Sequence, residues 1–175
     1  MQTPKQPAVT GAVAALLALG ACSAPPKGEP GPDARAQFER FVALEGDWRI
    51  IGGDHTVGAT HTYRTIANGS AVVETIFPGQ PHEMVTVYHL DGPSLVLTHY
   101  CALGNQPRMV ASAGEGETIR FRFDSGGNLS VGTDPHMHDA RFTFADEERF
   151  TSTWTQWDGG VEIERMVMEL ERVAP

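Results

Sequence analysis

Apolar and polar residues alternate along most of the chain after Asp47, in short runs separated by turn residues. A period of two predicts half-buried β-strands, and the Gly, Asn, Asp and Pro residues between the runs predict tight connections. No helical pattern intervenes, and parallel strands would need long crossover connections. The pattern therefore predicts an all-β fold, an antiparallel up-and-down meander of about 9–10 strands, closed into a barrel that leaves no sheet edge exposed.

One segment before the strands has a different period. In residues 34–44, ARAQFERFVAL, the apolar residues Phe38, Phe41 and Val42 recur at helical spacing. Asp33 suits the N-cap position, because its side chain can accept a hydrogen bond from a free backbone N–H. Gly46 is expected to end the helix. The segment predicts one short N-terminal amphipathic helix.

Two strands have a clear inward face. In TIRFRFD, an isoleucine and two phenylalanines alternate with arginines, so the apolar face is predicted to be interior. In HMHDARFTF, Phe142 and Phe144 indicate the interior phase. Counting back by two residues brings His138 and His136 to the same inward face, provided that the strand is regular that far.

The first 21 residues have the layout of a secretory signal. Lys5 is their only charged residue, and an apolar run extends from Val9 to Cys22. The run is short for a membrane span, which needs about 20 residues. Its end, LGAC, resembles the lipobox of bacterial lipoproteins. The resemblance implies that residues 1–21 are a lipoprotein signal peptide and that Cys22 is lipidated.

The segment after Cys22 is rich in Pro and Gly. Residues 22–33, CSAPPKGEPGPD, are predicted to form a flexible spacer between a lipid anchor and a folded domain at 34–175. With Cys22 acylated, Cys101 has no disulfide partner and is expected to be buried as a small apolar residue. Ser23 follows the cysteine, which by resemblance favours anchoring to the outer membrane, facing the periplasm.

The net charge argues against one class of partner. The chain carries 13 basic and 22 acidic residues, for a formal charge of −9. The arginines are interspersed with acids, so no basic patch is visible in the sequence. Nucleic acid and anionic lipid are therefore not expected partners. The oligomeric state stays open.

The helix, the run LEGDWRI and the meander with a Trp-containing hairpin near its end resemble the calycin group, from Phe38 to Val173. This group includes lipocalins, fatty-acid-binding proteins and related bacterial barrels of unknown function. Trp48 matches the tryptophan at the base of lipocalin barrels. Uncharacterised bacterial proteins with GxW near the start and THYCxxGNQPRM in the middle are also similar. The run GDWRIIGG lacks the continuation found in nitric-oxide-binding haem barrels, so no cofactor is predicted.

The stretch THYCALGNQPRM raises the question of an active site. Alternation puts His99 and Cys101 on one face, roughly 7 Å apart, which is too far for a direct hydrogen bond. Gly104 suits a turn, so the stretch is interpreted mainly as strand, turn and strand. Its polarity also makes four residues candidates for ligand binding: His99, Tyr100, Asn105 and Arg108. The pattern leaves open whether His99 or Tyr100 faces inward.

The stretch DPHMHD places two imidazoles on one side of a strand. His136 and His138 are further candidate ligand-binding residues, and they are predicted to converge with His99 and Arg108 at one end of the barrel. Two histidines do not complete a metal site, and no metal site is predicted. No catalytic motif or nucleotide-binding loop occurs in the chain.

The function predicted is that of a lipid-anchored envelope protein that binds a small, mostly apolar ligand in a barrel pocket. Two alternatives stay open. One is a hydrolase or isomerase that uses a pocket around His99, Tyr100 and Arg108. The other is an envelope structural or interaction protein with a filled barrel. An enzyme is the less favoured interpretation, because no complete catalytic constellation is visible.

Overall fold

Short connections join a long series of strands. The computed structural model of the chain describes residues 32–54, 56–112 and 116–174. In that part of the chain, one helix, α1 (Pro32–Val42), precedes ten strands. The strands are β1 (Gly46–Gly53), β2 (Thr60–Ile66), β3 (Ala71–Ile76), β4 (Met84–Asp91), β5 (Ser94–Tyr100), β6 (Gln106–Ala111), β7 (Thr118–Gly127), β8 (His136–Phe144), β9 (Arg149–Asp158) and β10 (Val161–Arg172).

Each strand pairs antiparallel with its neighbours in the chain, and β1 pairs with β10 to close the barrel. The prediction of an all-β meander with one short helix is confirmed. Closure leaves every strand with two partners, so the barrel has no free edge. Among the described residues, no helix has the length and apolar character needed to cross a bilayer.

The helix closes one end of the barrel. Phe38, Phe41 and Leu44 are buried in the core, and the ring of Phe41 stacks on that of Tyr88 with centroids 4.2 Å apart. We call this the helix end. Since the strands alternate in direction, the connections after β1, β3, β5, β7 and β9 all lie at the opposite end, which we call the far end.

The bounds of α1 differ from the prediction. The helix begins at Pro32, so Asp33 lies in its first turn instead of capping it. Proline is favoured at a first helical position, and an acidic residue in the first turn complements the helix dipole. The helix ends at Val42, four residues before Gly46, which begins β1 with a φ of 127°.

Trp48 anchors the helix end. Its indole N–H donates to the carbonyl of Leu44 at 2.7 Å, and the guanidinium of Arg172 lies 4.4 Å from its ring centroid. The same guanidinium donates to the carbonyls of Ala43 and Glu45, at 2.8 and 2.9 Å. The first and last strands are thus joined to the turn that follows α1, through a cation–π contact and hydrogen bonds.

The β2–β3 connection is longer than a two-residue hairpin turn. Ile66 pairs with Ala71, so four residues lie between the strands. Ala67, Asn68 and Gly69 all have positive φ angles.

The inward phases predicted for β7 and β8 are confirmed, because Ile119, Phe121, Phe142 and Phe144 are buried.

The predicted leader and anchor lie outside the described residues. The signal peptide predicted at residues 1–21, the predicted lipidation of Cys22 and the predicted spacer up to residue 31 fall in the part of the chain that the structure does not describe. These assignments stay predictions.

Candidate functional site

A row of polar side chains crosses the barrel interior. The strand register pairs Tyr63 with Glu74, Glu74 with Thr86, and Thr86 with His99. Cross-strand partners face the same side of a sheet, and all four side chains are buried. The row therefore lies inside the barrel, on four consecutive strands from β2 to β5.

Glu74 is the centre of this row. Its Oε1 accepts hydrogen bonds from Tyr63 Oη at 2.6 Å and from His61 Nδ1 at 2.9 Å, and its Oε2 accepts one from Tyr88 Oη at 2.6 Å. Its side chain is 1% exposed. Burying a carboxylate is costly unless hydrogen bonds and charge compensate it, and here three donors do so.

The protonation of this cluster follows from those contacts. Burial alone would raise the pKa of Glu74, but the hydrogen bonds from His61 and the two tyrosines, with the attraction of His61, bring it below its ordinary value. Burial and the Glu74 charge raise the pKa of Tyr63 and Tyr88 well above the usual range. The cluster therefore holds an ionised Glu74 with two neutral tyrosines that donate to it.

His61 keeps one nitrogen without a partner. Its side chain is fully buried, and Nε2 makes no hydrogen bond. The ring contacts that of Phe77 edge-on, with centroids 5.6 Å apart. Unpaired buried polar atoms are rare in folded proteins because each one costs free energy.

His99 is the candidate residue that faces the interior. It is 2% exposed, its Nδ1 lies 2.9 Å from Thr86 Oγ1, and its ring packs against Trp154 at 5.0 Å. Burial lowers the pKa of His99 to about 4, although the Glu74 charge opposes the shift. His99 is therefore neutral at neutral pH.

A mostly apolar cavity of about 70 Å³ adjoins this row at the far end. Its lining consists of four methionines, two aromatic residues, one isoleucine and one histidine: Met84, Met137, Met166, Met168, Phe77, Trp154, Ile76 and His99. Methionine is flexible and polarizable, so such a lining can adapt to the shape of a guest. Of the residues predicted from the sequence, only His99 lines this cavity.

Tyr100 and Arg108 lie outside the barrel. The register pairs Leu97 with Met109 and Thr98 with Arg108. Leu97 and Met109 are fully buried in the core, so Arg108 faces outward. It binds the carboxylates of Asp91, at 2.7 Å, and Asp124. Tyr100 is 50% exposed. The structure therefore brings neither residue to His99, and the predicted common pocket of the three is not formed.

The rest of THYCALGNQPRM forms the predicted turn. β5 ends at Tyr100 and β6 begins at Gln106, and the amide of Cys101 donates to the carbonyl of Asn105. Asn105 Nδ2 donates to the carbonyl of Pro135 at 2.8 Å. Asn105 thus ties two far-end loops together. Cys101 is half-buried and unpaired, and burial raises the pKa of its thiol.

A β-bulge displaces the two candidate histidines of β8. The pairing of β8 with β9 shifts between Met137 and Asp139, which leaves His138 as the extra residue. Alternation is therefore not regular back to His136, contrary to the prediction, and Met137 takes the cavity-lining position.

The two imidazoles form a cluster of their own at the far end. His136 Nδ1 donates to the carbonyl of Asp134 at 2.8 Å, which leaves Nε2 to accept from His138 Nδ1 at 3.0 Å. The ring of His138 stacks on Trp157, with centroids 3.9 Å apart. Burial lowers the pKa of His138. His136 and His138 thus share the far end with His99 but not its cavity.

A groove on the described outer surface has a local excess of positive charge that was not visible in the sequence. A groove of about 250 Å³ on the outer wall is lined by four arginines and two carboxylates, Arg120, Arg122, Arg141, Arg165, Asp139 and Glu162. Strand pairing brings them together from β7, β8 and β10. Within the described ranges, no three His, Cys, Asp or Glu side chains form a group that could hold a metal ion.

No family model matches the chain, and the comparison with curated proteins found no match.

The interior polar cluster was missed by sequence reasoning. One signal was present: Glu74 stands in phase with Val72 and Ile76, so a carboxylate occupies the apolar face of AVVETI.

Proposed function

We propose that this protein binds a small, mostly apolar ligand in the far-end cavity of its barrel. The observation that carries the proposal is the lining of that cavity, where four methionines and two aromatic residues surround a single imidazole. Ligand sites are typically apolar with a few placed polar groups. A volume of about 70 Å³ suits a compact guest, and larger guests require the methionines to reorient.

Native mass spectrometry of the full chain purified from its own host tests this proposal. We expect a co-purified small molecule that organic solvent releases. Met166→Phe should displace it by filling the cavity, because Met166 lines that space. Val167→Phe is the matched control, since the adjacent residue faces the outer wall and should keep the ligand. Protein without any adduct would favour a filled barrel that acts through its surface, and equal loss in both variants would show that the ligand does not occupy this cavity.

We further propose that the mature chain begins at a lipidated Cys22 and is held at the bacterial envelope by lipid, as a barrel of the calycin type. The support is the LGAC box at the end of a short apolar run, followed by a Pro- and Gly-rich segment. Cys22→Ala should leave the protein unprocessed or detached. If that variant fractionates with membranes as the unchanged protein does, the anchor is not at Cys22.

A further inference from the structure

The unpaired nitrogen of His61 points to a second part of the ligand site. His61 Nδ1 donates to Glu74 at 2.9 Å, because an ionised carboxylate can only accept. In an imidazole ring the two nitrogens face nearly opposite directions. Nε2 therefore faces away from Glu74.

That direction leads toward the cavity. β3 runs from the helix end to the far end, so Ile76 lies nearer the far end than Glu74. Ile76 is the cross-strand partner of His61 and also lines the cavity. The ring of Phe77, which contacts His61, is another wall of the same cavity. His61 thus adjoins two walls of the cavity.

The backbone of Phe77 has a strained conformation. Its φ is 56°, a left-handed conformation that is unfavourable for a bulky side chain. Its ring lies between two histidines, the buried His61 at 5.6 Å and the exposed His82 at 4.9 Å. A residue in this position separates the buried cluster from solvent, and rotation of its side chain would open a path to His61.

The chemistry of the cluster limits what can bind there. Nε2 is an acceptor when the ring is neutral and an N–H donor when the ring is protonated, and a hydroxyl group can pair with either form. Glu74 already places one negative charge in the interior, so a second anion nearby would be repelled. The suitable partner is an uncharged hydroxyl group.

We propose that His61 Nε2 forms a hydrogen bond with the hydroxyl group of a small, uncharged and otherwise apolar ligand, which Phe77 admits by moving aside. This inference rests on the cavity function proposed above and adds the class of ligand: a phenol or an alcohol. His61 is a binding residue in this scheme, and Glu74 positions it by holding Nδ1.

Phenol and toluene are the probes that test the inference, because they differ only by a hydroxyl in place of a methyl group. Their dissociation constants are measured by NMR titration of the full chain. The readout is the ratio of the two constants in the unchanged protein and in His61→Phe. We expect His61→Phe to weaken phenol relative to toluene by about tenfold, because the buried hydroxyl loses its partner. His82→Phe, the matched control on the exposed side of Phe77, should leave the ratio unchanged.

A second measurement needs no variant and keeps the inference testable if His61→Phe does not fold. In protein labelled with ¹⁵N-histidine, phenol should shift the Nε2 resonance of His61, while toluene should not. The resonances of His82 serve as the reference.

The outcomes separate the two proposals. If toluene binds but His61→Phe leaves the ratio unchanged, or if phenol leaves the His61 resonance unmoved, the hydrogen-bonding role is refuted and the apolar cavity stands. If neither probe binds, the cavity function fails, and this inference fails with it.

Discussion

Acidification should destabilise this protein through one buried histidine well before its carboxylates titrate. His99 is 2% exposed and its pKa is lowered from 6.5 to about 4 by burial. A lowered pKa means that the folded state binds the proton more weakly than the unfolded chain does. The contribution of His99 to stability is therefore fully present above pH 6.5 and is lost as the pH falls toward 4.

The size of the effect follows from the two pKa values. They differ by about 2.5 pH units, and each unit corresponds to about 1.36 kcal/mol, so the full effect is about 3 kcal/mol. About 2 kcal/mol of this should be lost by pH 5. Glu74 acts in a lower window: its pKa is also lowered, so its contribution is present above pH 4.5 and declines below it. The range from pH 7 to pH 4.5 therefore separates the two groups.

The loss of stability is measured by urea unfolding of the unchanged protein and of His99→Asn. The measurement is repeated at steps of half a pH unit over that range. The asparagine can still hydrogen-bond to Thr86 but does not titrate. His138, whose pKa is also lowered, contributes equally to both proteins and cancels in the difference. We expect the unchanged protein to lose about 2 kcal/mol more than His99→Asn between pH 7 and pH 5. His82→Asn, at an exposed histidine, should follow the unchanged protein. Parallel curves for His99→Asn and the unchanged protein would refute the assignment.

Three further substitutions, two of them with a matched control, test the framework by urea unfolding. Arg172→Ala removes a cation–π contact and several hydrogen bonds to carbonyls at the helix end, and should cost about 2 kcal/mol. Arg149→Ala is its control: it breaks only an exposed ion pair and should change the free energy of unfolding much less. Gly53→Ala would place a Cβ 2.1 Å from a backbone carbonyl oxygen, while Gly58→Ala, also at a positive φ, meets nothing within 4 Å; Gly53→Ala should therefore lower the unfolding midpoint much more, and equal effects would contradict the close contact. Glu74→Gln leaves three buried donors facing a neutral amide and should cost about 3 kcal/mol; a change under about 1 kcal/mol would show that the carboxylate is not needed.

Most of the fold was predictable because it depends on local periodicity. Apolar residues at every second position and turn residues between the runs define both the strands and their order. Between Gly127 and His136 the described chain contains no further strand, so β7 and β8 are consecutive. The Gly104 turn and the Pro135 turn therefore lie at the same end and are joined by Asn105.

The candidate site was less predictable, for two physical reasons. A bulge adds one residue to a strand without a distinct sequence signal, so the count from Phe142 back to His138 fails at the last step. A closed barrel also gathers its interior from strands distant in the chain. Glu74 is 13 residues from His61 and 14 from Tyr88, and its partners become evident only once the register is known. His99 was a candidate because of the polarity of its stretch, although the strand phase left open whether His99 or Tyr100 faces inward. Thr86 and the methionines around His99 were not identified.

The position of α1 has a consequence for the direction from which a ligand would arrive. The helix covers one pole of the barrel, and the chain enters the domain there, at Pro32. If Cys22 carries lipid, the tether meets the domain on that side, and the cavity lies at the far end. β10 has 12 residues, which at about 3.3 Å each and a tilt of about 40° give a separation of roughly 30 Å between the two ends. The cavity would then open at the end of the domain that the tether leaves free.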